Sequence, residues 1–137
     1  MNLKTFSRIV LAIVGGEIAL IIFTTIAQEV LFDGISYNSS TLSEIVFGGL
    51  ATFIAAILAG VVARLIIRNK INAVPLGISI LISLEMTYLI LNGKTGDPVW
   101  FDCIAGGSLI VGIWLGFNYP KFLSKKTGAA STKESSH

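Results

Sequence analysis

The sequence predicts an all-α integral membrane protein in which four transmembrane helices form an antiparallel bundle. Hydrophobic residues make up 53% of the 137 positions and charged residues only 13%, about half the charged share of a typical soluble domain. The mean hydropathy is +0.81. The apolar residues are gathered into runs close to the ~20 residues that a helix needs to cross a bilayer. This composition argues against an ordinary soluble enzyme and against a disordered chain.

The predicted helices follow the apolar runs at residues 9–27, 45–67, 73–91 and 99–117. Backbone groups in lipid must be hydrogen-bonded within their own segment, which makes each run a helix. A transmembrane barrel would need shorter stretches of alternating polarity. We expect one transmembrane domain over residues 1–123, and a disordered, polar cytoplasmic tail over 124–137.

Local signals mark the predicted helix ends. Thr41 and Glu44 have the spacing of a capping box before the second helix. Asn72 is placed to cap the third helix and Asp97 the fourth, and Pro120 is expected to end the fourth. The link between the second and third helices is only a few residues long, which predicts that these two helices pack as an antiparallel hairpin.

Basic residues predict the topology. Nine of the ten Lys and Arg residues fall on one side of the predicted membrane, and Lys94 is the exception. The nine are Lys4, Arg8, Arg64, Arg68, Lys70, Lys121, Lys125, Lys126 and Lys133. The positive-inside rule makes that side the cytoplasm, so we expect a multi-pass protein of the plasma membrane with both termini inside.

Two glutamates lie within the predicted spans, Glu17 near the middle of the first helix and Glu85 in the third. A carboxylate at this depth is costly, so such residues face the interior of a bundle, find a partner or take up a proton. The polar residues expected to share their helix faces are Thr24, Gln28, Tyr88 and Asn92. Three roles fit these glutamates: proton or cation handling, hydrogen bonding of a neutral carboxyl inside the bundle, or binding of a lipid headgroup.

Small or weakly polar residues recur every four positions along the second and fourth helices. They are Gly48, Thr52, Ala56 and Gly60, and Ser108, Gly112 and Gly116. Such stripes let another helix approach closely. They predict either packing within the chain or contact with a second copy or a partner protein.

Acidic and aromatic residues gather at the outer mouth of the predicted bundle, where Asp97, Trp100 and Asp102 surround the start of the fourth helix. They are suited to attract a cation, or else to act as solvated caps and an interfacial anchor. The chain has a single cysteine, Cys103, and a single histidine, His137, in the tail. We therefore predict no metal site, no cofactor and no enzymatic activity, and the small net charge gives no indication of nucleic acid.

Short motifs in the second half add a resemblance. The fourth helix begins with Pro98 to Asp102 (PVWFD) and later contains Trp114 to Gly116 (WLG), and Gly49 to Thr52 (GLAT) leads into an Ala- and Gly-rich run. In these features the chain resembles small bacterial four-helix membrane proteins without an assigned activity. The resemblance implies the architecture and a bacterial membrane.

Two hypotheses for function follow. The first is a non-catalytic accessory protein that binds a partner or lipid, using the stripes of small residues. The second is an oligomeric transporter or channel linked to protons or cations, using Glu17 and Glu85. An oligomer is needed in the second case because side chains fill a bundle of only four helices.

Overall fold

The computed structural model describes residues 2–134, and the side chains of residues 2–119. The four helices are α1 (Leu3–Thr25), α2 (Leu42–Ile67), α3 (Ala73–Leu91) and α4 (Val99–Glu134). A π-helical turn, Ile26–Val30, prolongs α1. Each helix is long and apolar enough to cross a membrane, which confirms the all-α class and the four candidate spans.

The helix boundaries follow the sequence closely within the apolar runs and extend beyond them at the ends. The bounds of α3 are those predicted, as are the end of α2 and the start of α4. By contrast, α1 begins six residues before the predicted position 9 and α2 three residues before 45. Helical hydrogen bonding does not stop where the apolar run stops, because polar side chains in the first turn can remain hydrated at the interface.

The C-terminal part of α4 differs from expectation. Its backbone continues through Pro120 to Glu134, so the predicted helix end at 117 is wrong. Disorder of the polar tail over 124–137 stays a prediction. A proline removes the hydrogen bond that its own nitrogen would give to the carbonyl of residue 116, and its ring crowds that carbonyl, but the residues after it can resume the helical pattern. His137 and the side chains of the basic residues after Tyr119 lie outside the described part.

The capping box at the start of α2 is confirmed. The Glu44 carboxylate accepts a hydrogen bond of 2.6 Å from the Thr41 N–H, and the Thr41 Oγ1 accepts one of 3.3 Å from the Glu44 N–H. The predicted cap at Asn72 is wrong, because this residue is already in the helical conformation and its side chain makes no capping bond. A capping side chain acts from an extended backbone.

Asp97 does not cap α4 either. The helix begins at Val99, and the carbonyl of Pro98 accepts the N–H groups of Phe101 and Asp102 at 2.9 and 3.2 Å. The Asp97 carboxylate is held by another loop, as described below.

The helices lie around the bundle in the order α1, α2, α4, α3. The most extensive contacts of α2 are with α4 and α1, whereas α3 makes smaller contacts with α4 and α1. Although α2 and α3 are joined by a short link, they hardly touch, so the prediction that they pack as a hairpin is wrong. Arg68 ends α2 in a left-handed conformation, with φ 60°, and the link leads diagonally across the bundle.

Glycines bring the backbones of α2 and α4 into direct contact. A Cβ added to Gly60 would collide with the carbonyl oxygen of Ile113, and one added to Gly116 with that of Ile57. A Cβ at Gly112 would lie 3.1 Å from the carbonyl oxygen of Phe53. The close approach therefore depends on the absence of a side chain at these positions.

Most of the buried core lies in one half of the bundle. We call this the packed half, residues 3–16, 53–67, 73–81 and 110–119, and the other the open half, residues 17–30, 42–52, 82–91 and 99–109. Ala12, Ala59, Ala63, Val74 and Phe117 of the packed half are all fully buried. Helix α1 packs closely against this core, because a Cβ added to Gly16 would collide with the side chains of Ala63 on α2 and Ile78 on α3.

Candidate functional site

A cavity of about 610 Å³ lies in the open half. All four helices contribute to its wall, together with Ile35 from the loop after α1 and Thr95 and Asp97 from the loop before α4. On α1 the lining extends from Glu17 to Gln28, roughly 16 Å at 1.5 Å per residue. The cavity therefore reaches from the middle of the bundle to the end that carries these two loops.

The charged side chains that line the cavity are all acidic. They are Glu17, Glu85, Asp97 and Asp102, and no basic side chain lies among the described lining residues. Carboxylates on walls of low dielectric constant concentrate a negative potential inside a cleft. The cavity is thus electrostatically suited to a positively charged ligand.

We call the two carboxylates that line the cavity farther from the loops the deep pair: Glu17 on α1, which is half-buried, and Glu85 on α3, which is exposed. Both side chains line the same cavity, and two carboxylates that share a site repel each other when both are charged. The Oε2 atom of Glu17 is shielded from solvent and has no hydrogen-bond partner among the described residues. An unpaired polar atom in such a place lowers stability, so Glu17 has an unmet capacity to bind a proton or a cation.

The rim of the cavity holds the other two carboxylates, and both have partners. Asp97 Oδ1 accepts the Ser36 hydroxyl at 3.2 Å and the Tyr37 N–H at 3.1 Å. Asp102 is 5% exposed, and its Oδ2 accepts the Thr95 hydroxyl at 2.8 Å. The rim carboxylates are therefore engaged in holding the structure, unlike the deep pair.

The same bonds join the two loops at the open end. The Asn38 side-chain amide also donates to the carbonyl of Gly96, at 3.1 Å. Trp100 packs edge-on against Tyr37, with ring centroids 5.4 Å apart. Trp100 therefore belongs to the junction between the loops, whereas Asp97 and Asp102 line the cavity.

Hydroxyl and amide groups add acceptor oxygens to the wall. Thr24 and Ser108 donate their hydroxyl protons to carbonyls one turn earlier, at 2.7 and 2.8 Å. Thr52 does the same and also accepts the Gln28 amide at 3.4 Å. A hydroxyl whose proton is used in this way offers its lone pairs as acceptors, which complements the acidic character of the site.

The π-helical turn places Gln28 on the wall. Such turns insert one extra residue into a helix and occur frequently at functional sites. Here the turn includes Gln28 and precedes Gly34, whose N–H donates to the Gln28 carbonyl at 2.9 Å. Nothing in the sequence indicated this turn.

The structure brings four of the six predicted interior polar residues into the cavity: Glu17, Thr24, Gln28 and Glu85. Tyr88 and Asn92 are not among the lining residues. Tyr88 is exposed beneath the Lys94 ammonium, which lies 5.3 Å from its ring centroid, and Asn92 donates to the Tyr88 carbonyl at 2.8 Å. Tyr88 and Leu89, three and four positions after Glu85, lie on either side of it along the helix. The cavity is on the side of Leu89, which lines it.

The predicted stripes of small residues divide between two surroundings. Thr52 and Ser108 line the cavity, and a Cβ on Gly48 would collide with Ile35. The members nearer the packed half, Ala56, Gly60, Gly112 and Gly116, are buried at the contact between α2 and α4.

Sequence reasoning missed Thr95 and Ser36, which hold the rim carboxylates. Both lie in loops, where no helical spacing relates them to their partners. Among the described residues, no group of three His, Cys, Asp or Glu side chains is arranged to hold a metal ion.

Comparison of the chain with models of known protein families, with curated proteins and with solved structures gave no match.

Proposed function

We propose that this is a multi-pass protein of the plasma membrane that binds a cation in the acidic cavity and exchanges it for protons on Glu17 and Glu85. The observation that carries the proposal is that these two glutamates, from different helices, line one cavity that has no basic side chain among its described lining residues. Both positions lie within candidate membrane spans, where an ionisable residue without a function is disfavoured.

The mechanism follows from the charge on the deep pair. Two nearby carboxylates in a medium of low dielectric constant are unstable when both are charged and unpaired. A bound cation relieves their repulsion, and so does protonation. Occupation of the site by a cation and protonation of the glutamates therefore oppose each other, which is the coupling that an exchanger needs.

The orientation in the membrane is part of the proposal. The contacts support antiparallel neighbours, since Gly16 meets Ala63 near the end of α2, whereas the later residue Gln28 meets the earlier residue Thr52. The basic side chains of Arg64 and Arg68 belong to the end of α2 in the packed half. By the positive-inside rule this half faces the cytoplasm, with both termini, and the cavity opens outward.

Transport through this site requires more than one conformation or more than one chain. The packed half beneath Glu17 is filled by Ala12, Ala63 and Ile78, which are fully buried. We propose that the protein acts as an oligomer, in which a second copy supplies the rest of the path.

The alternative, an accessory protein that docks a partner through the stripes of α2 and α4, receives less support. Gly60, Gly112 and Gly116 already contact the facing helix of the same chain. A partner would need to replace that contact or to use another surface.

The test is cation-driven proton movement in liposomes that contain the purified protein and an internal pH-sensitive dye. When the cation is added outside, we expect protons to leave liposomes that contain the wild-type protein, which the dye reports as a rise in internal pH. Glu17→Gln and Glu85→Gln each remove one titrating group, and we expect at least a tenfold loss of this flux.

Glu29→Gln is the matched control, because Glu29 is an exposed glutamate of the π-helical turn and does not line the cavity. Its flux should equal that of the wild type. Wild-type flux in both deep variants, with normal incorporation into the liposomes, would overturn the proposal.

A further inference from the structure

The apolar part of the cavity wall indicates the class of cation. Leu20 and Ile82 line it as buried residues, and Met86, Leu89 and Phe101 line it as partly buried ones. A site for a hydrated inorganic ion has no use for such a wall, whereas cavities of 300–1,000 Å³ with mostly apolar walls and a few placed polar groups are typical of small-molecule sites. At about 610 Å³, this cavity has the size to hold an organic ligand.

The arrangement of the carboxylates points the same way. A bare divalent cation requires several oxygen ligands at 2.0–2.6 Å from one point. The four carboxylates lie at different depths, and no three acidic side chains among the described residues converge on one point. The rim carboxylates are already held by Ser36, Tyr37 and Thr95.

A diffuse organic cation has no such requirement. Its charge is spread over a large surface, its desolvation is inexpensive, and one or two carboxylates at ordinary contact distance suffice. The polarisable sulfur of Met86 and the ring of Phe101 also interact favourably with such an ion.

We propose that the cavity binds an organic monocation, whose apolar body lies against Leu20, Ile82, Met86 and Leu89 and whose charged group meets Glu17 and Glu85. This inference rests on the proposed cation-binding function and names the class of ligand. A free organic cation and the ammonium of a lipid headgroup share this chemistry, so the experiment must separate the two.

One glycine offers a way to test the apolar wall without touching a carboxylate. Gly49 lines the cavity on α2, and a Cβ added there would meet no atom within 4 Å. Gly49→Leu therefore fills space that the ligand body needs, while the helix and its contacts stay intact. Gly107→Leu is the matched control, because Gly107 of α4 also has open space around its added Cβ but does not line the cavity.

The experiment is calorimetric titration of the purified full-length protein in a maltoside detergent with three probes. Tetraphenylphosphonium combines charge with an apolar body, tetramethylammonium has the charge alone, and triphenylphosphine oxide has an apolar body without net charge. We expect saturable binding of tetraphenylphosphonium, with a Kd at least tenfold lower than for either other probe. Glu17→Gln, Glu85→Gln and Gly49→Leu should each raise that Kd tenfold or more, and Glu29→Gln and Gly107→Leu should change it less than twofold.

The inference is overturned if tetraphenylphosphonium does not bind, if the neutral probe binds equally well, or if Gly49→Leu and the two glutamine variants bind like the wild type. Repeating the titration with added phosphatidylethanolamine or phosphatidylglycerol separates the two sources of the cation. Competition by the former alone would identify a lipid headgroup as the occupant, and competition by neither supports a free cation.

Failure of this inference is distinguishable from failure of the proposed function. If tetraphenylphosphonium does not bind but Na⁺ or K⁺ gradients still move protons in a manner that depends on Glu17, the exchange function stands and the ligand class is wrong. If tetraphenylphosphonium binds but no gradient moves protons through the wild-type protein, the site stands and the exchange function is wrong.

Discussion

The packed half and the open half of the bundle are built from the same four helices and differ in what fills the space between them. In the packed half, Gly60, Gly112 and Gly116 let backbones touch. In the open half, Glu17, Thr24 and Glu85 stand where apolar side chains could have met. The comparison shows that a small membrane protein can hold a cavity open at one end if glycine contacts stabilise the other.

The largest expected effect comes from breaking the packed half. Gly116→Ala places a methyl group against the carbonyl oxygen of Ile57, and a backbone atom cannot move aside as a side chain can. We expect a loss of about 3 kcal/mol in the free energy of unfolding, at the upper end for overpacking. The measurement is unfolding in a titration of SDS into mixed micelles.

Gly107→Ala is the control for this substitution. A Cβ at Gly107 meets nothing within 4 Å, so Gly107→Ala should not destabilise the protein and should stabilise it by less than about 1 kcal/mol. If Gly116→Ala and Gly107→Ala destabilised the protein equally, the contact between α2 and α4 would not be its main stabilising interface.

A smaller effect is expected at the junction of the loops above the open half. Asp97→Ala removes the acceptor of the Ser36 hydroxyl and of the Tyr37 N–H. We expect a loss of about 2 kcal/mol, the scale for hydrogen bonds to a charged group. Hydrogen exchange at the Tyr37 amide should become faster, with little change in the packed half.

Asp97→Asn keeps one acceptor oxygen and should restore most of the protection at that amide. Uniform acceleration of exchange along all four helices in Asp97→Ala would instead mean that the two halves unfold together.

The smallest effect is expected when a glycine of the open half and a glycine of the packed half are each replaced by alanine. Gly49→Ala adds a Cβ into open space and replaces glycine in a helix, so we expect stabilisation of less than about 1 kcal/mol. The same substitution at Gly60 meets the Ile113 carbonyl and should destabilise. If both variants shift the SDS midpoint in the same direction, the two halves do not differ in the way described.

Much of the fold could be predicted because it depends on local sequence. The apolar runs locate α3 and most of the other helices, and the spacing of Thr41 and Glu44 marks the start of α2. Asn72 could not be judged in this way, because capping depends on the backbone conformation of the residue itself. The continuation of α4 beyond Pro120 also depends on the backbone hydrogen bonds that residues on both sides of the proline form.

The site was harder to predict, since it depends on how helices meet. The depth of Glu17 and Glu85 singled them out, but spacing could not choose between Tyr88 and Leu89 as the next wall residue. Helix order was inaccessible for a similar reason. A short link indicates neighbouring helices, yet the glycine surface of α2 fits α4, and this complementarity is visible only when both surfaces are known.

The diagonal placement of α2 and α3 also has a consequence for biosynthesis. A ribosome delivers α2 well before α4, the helix on which α2 packs most extensively. The newly made pair of α1 and α2 must therefore wait in the bilayer with the glycine face of α2 uncovered, while α3 is inserted first. Completion of the bundle depends on the last span to leave the translocon, so premature termination before α4 would leave an insertion product without its central contact.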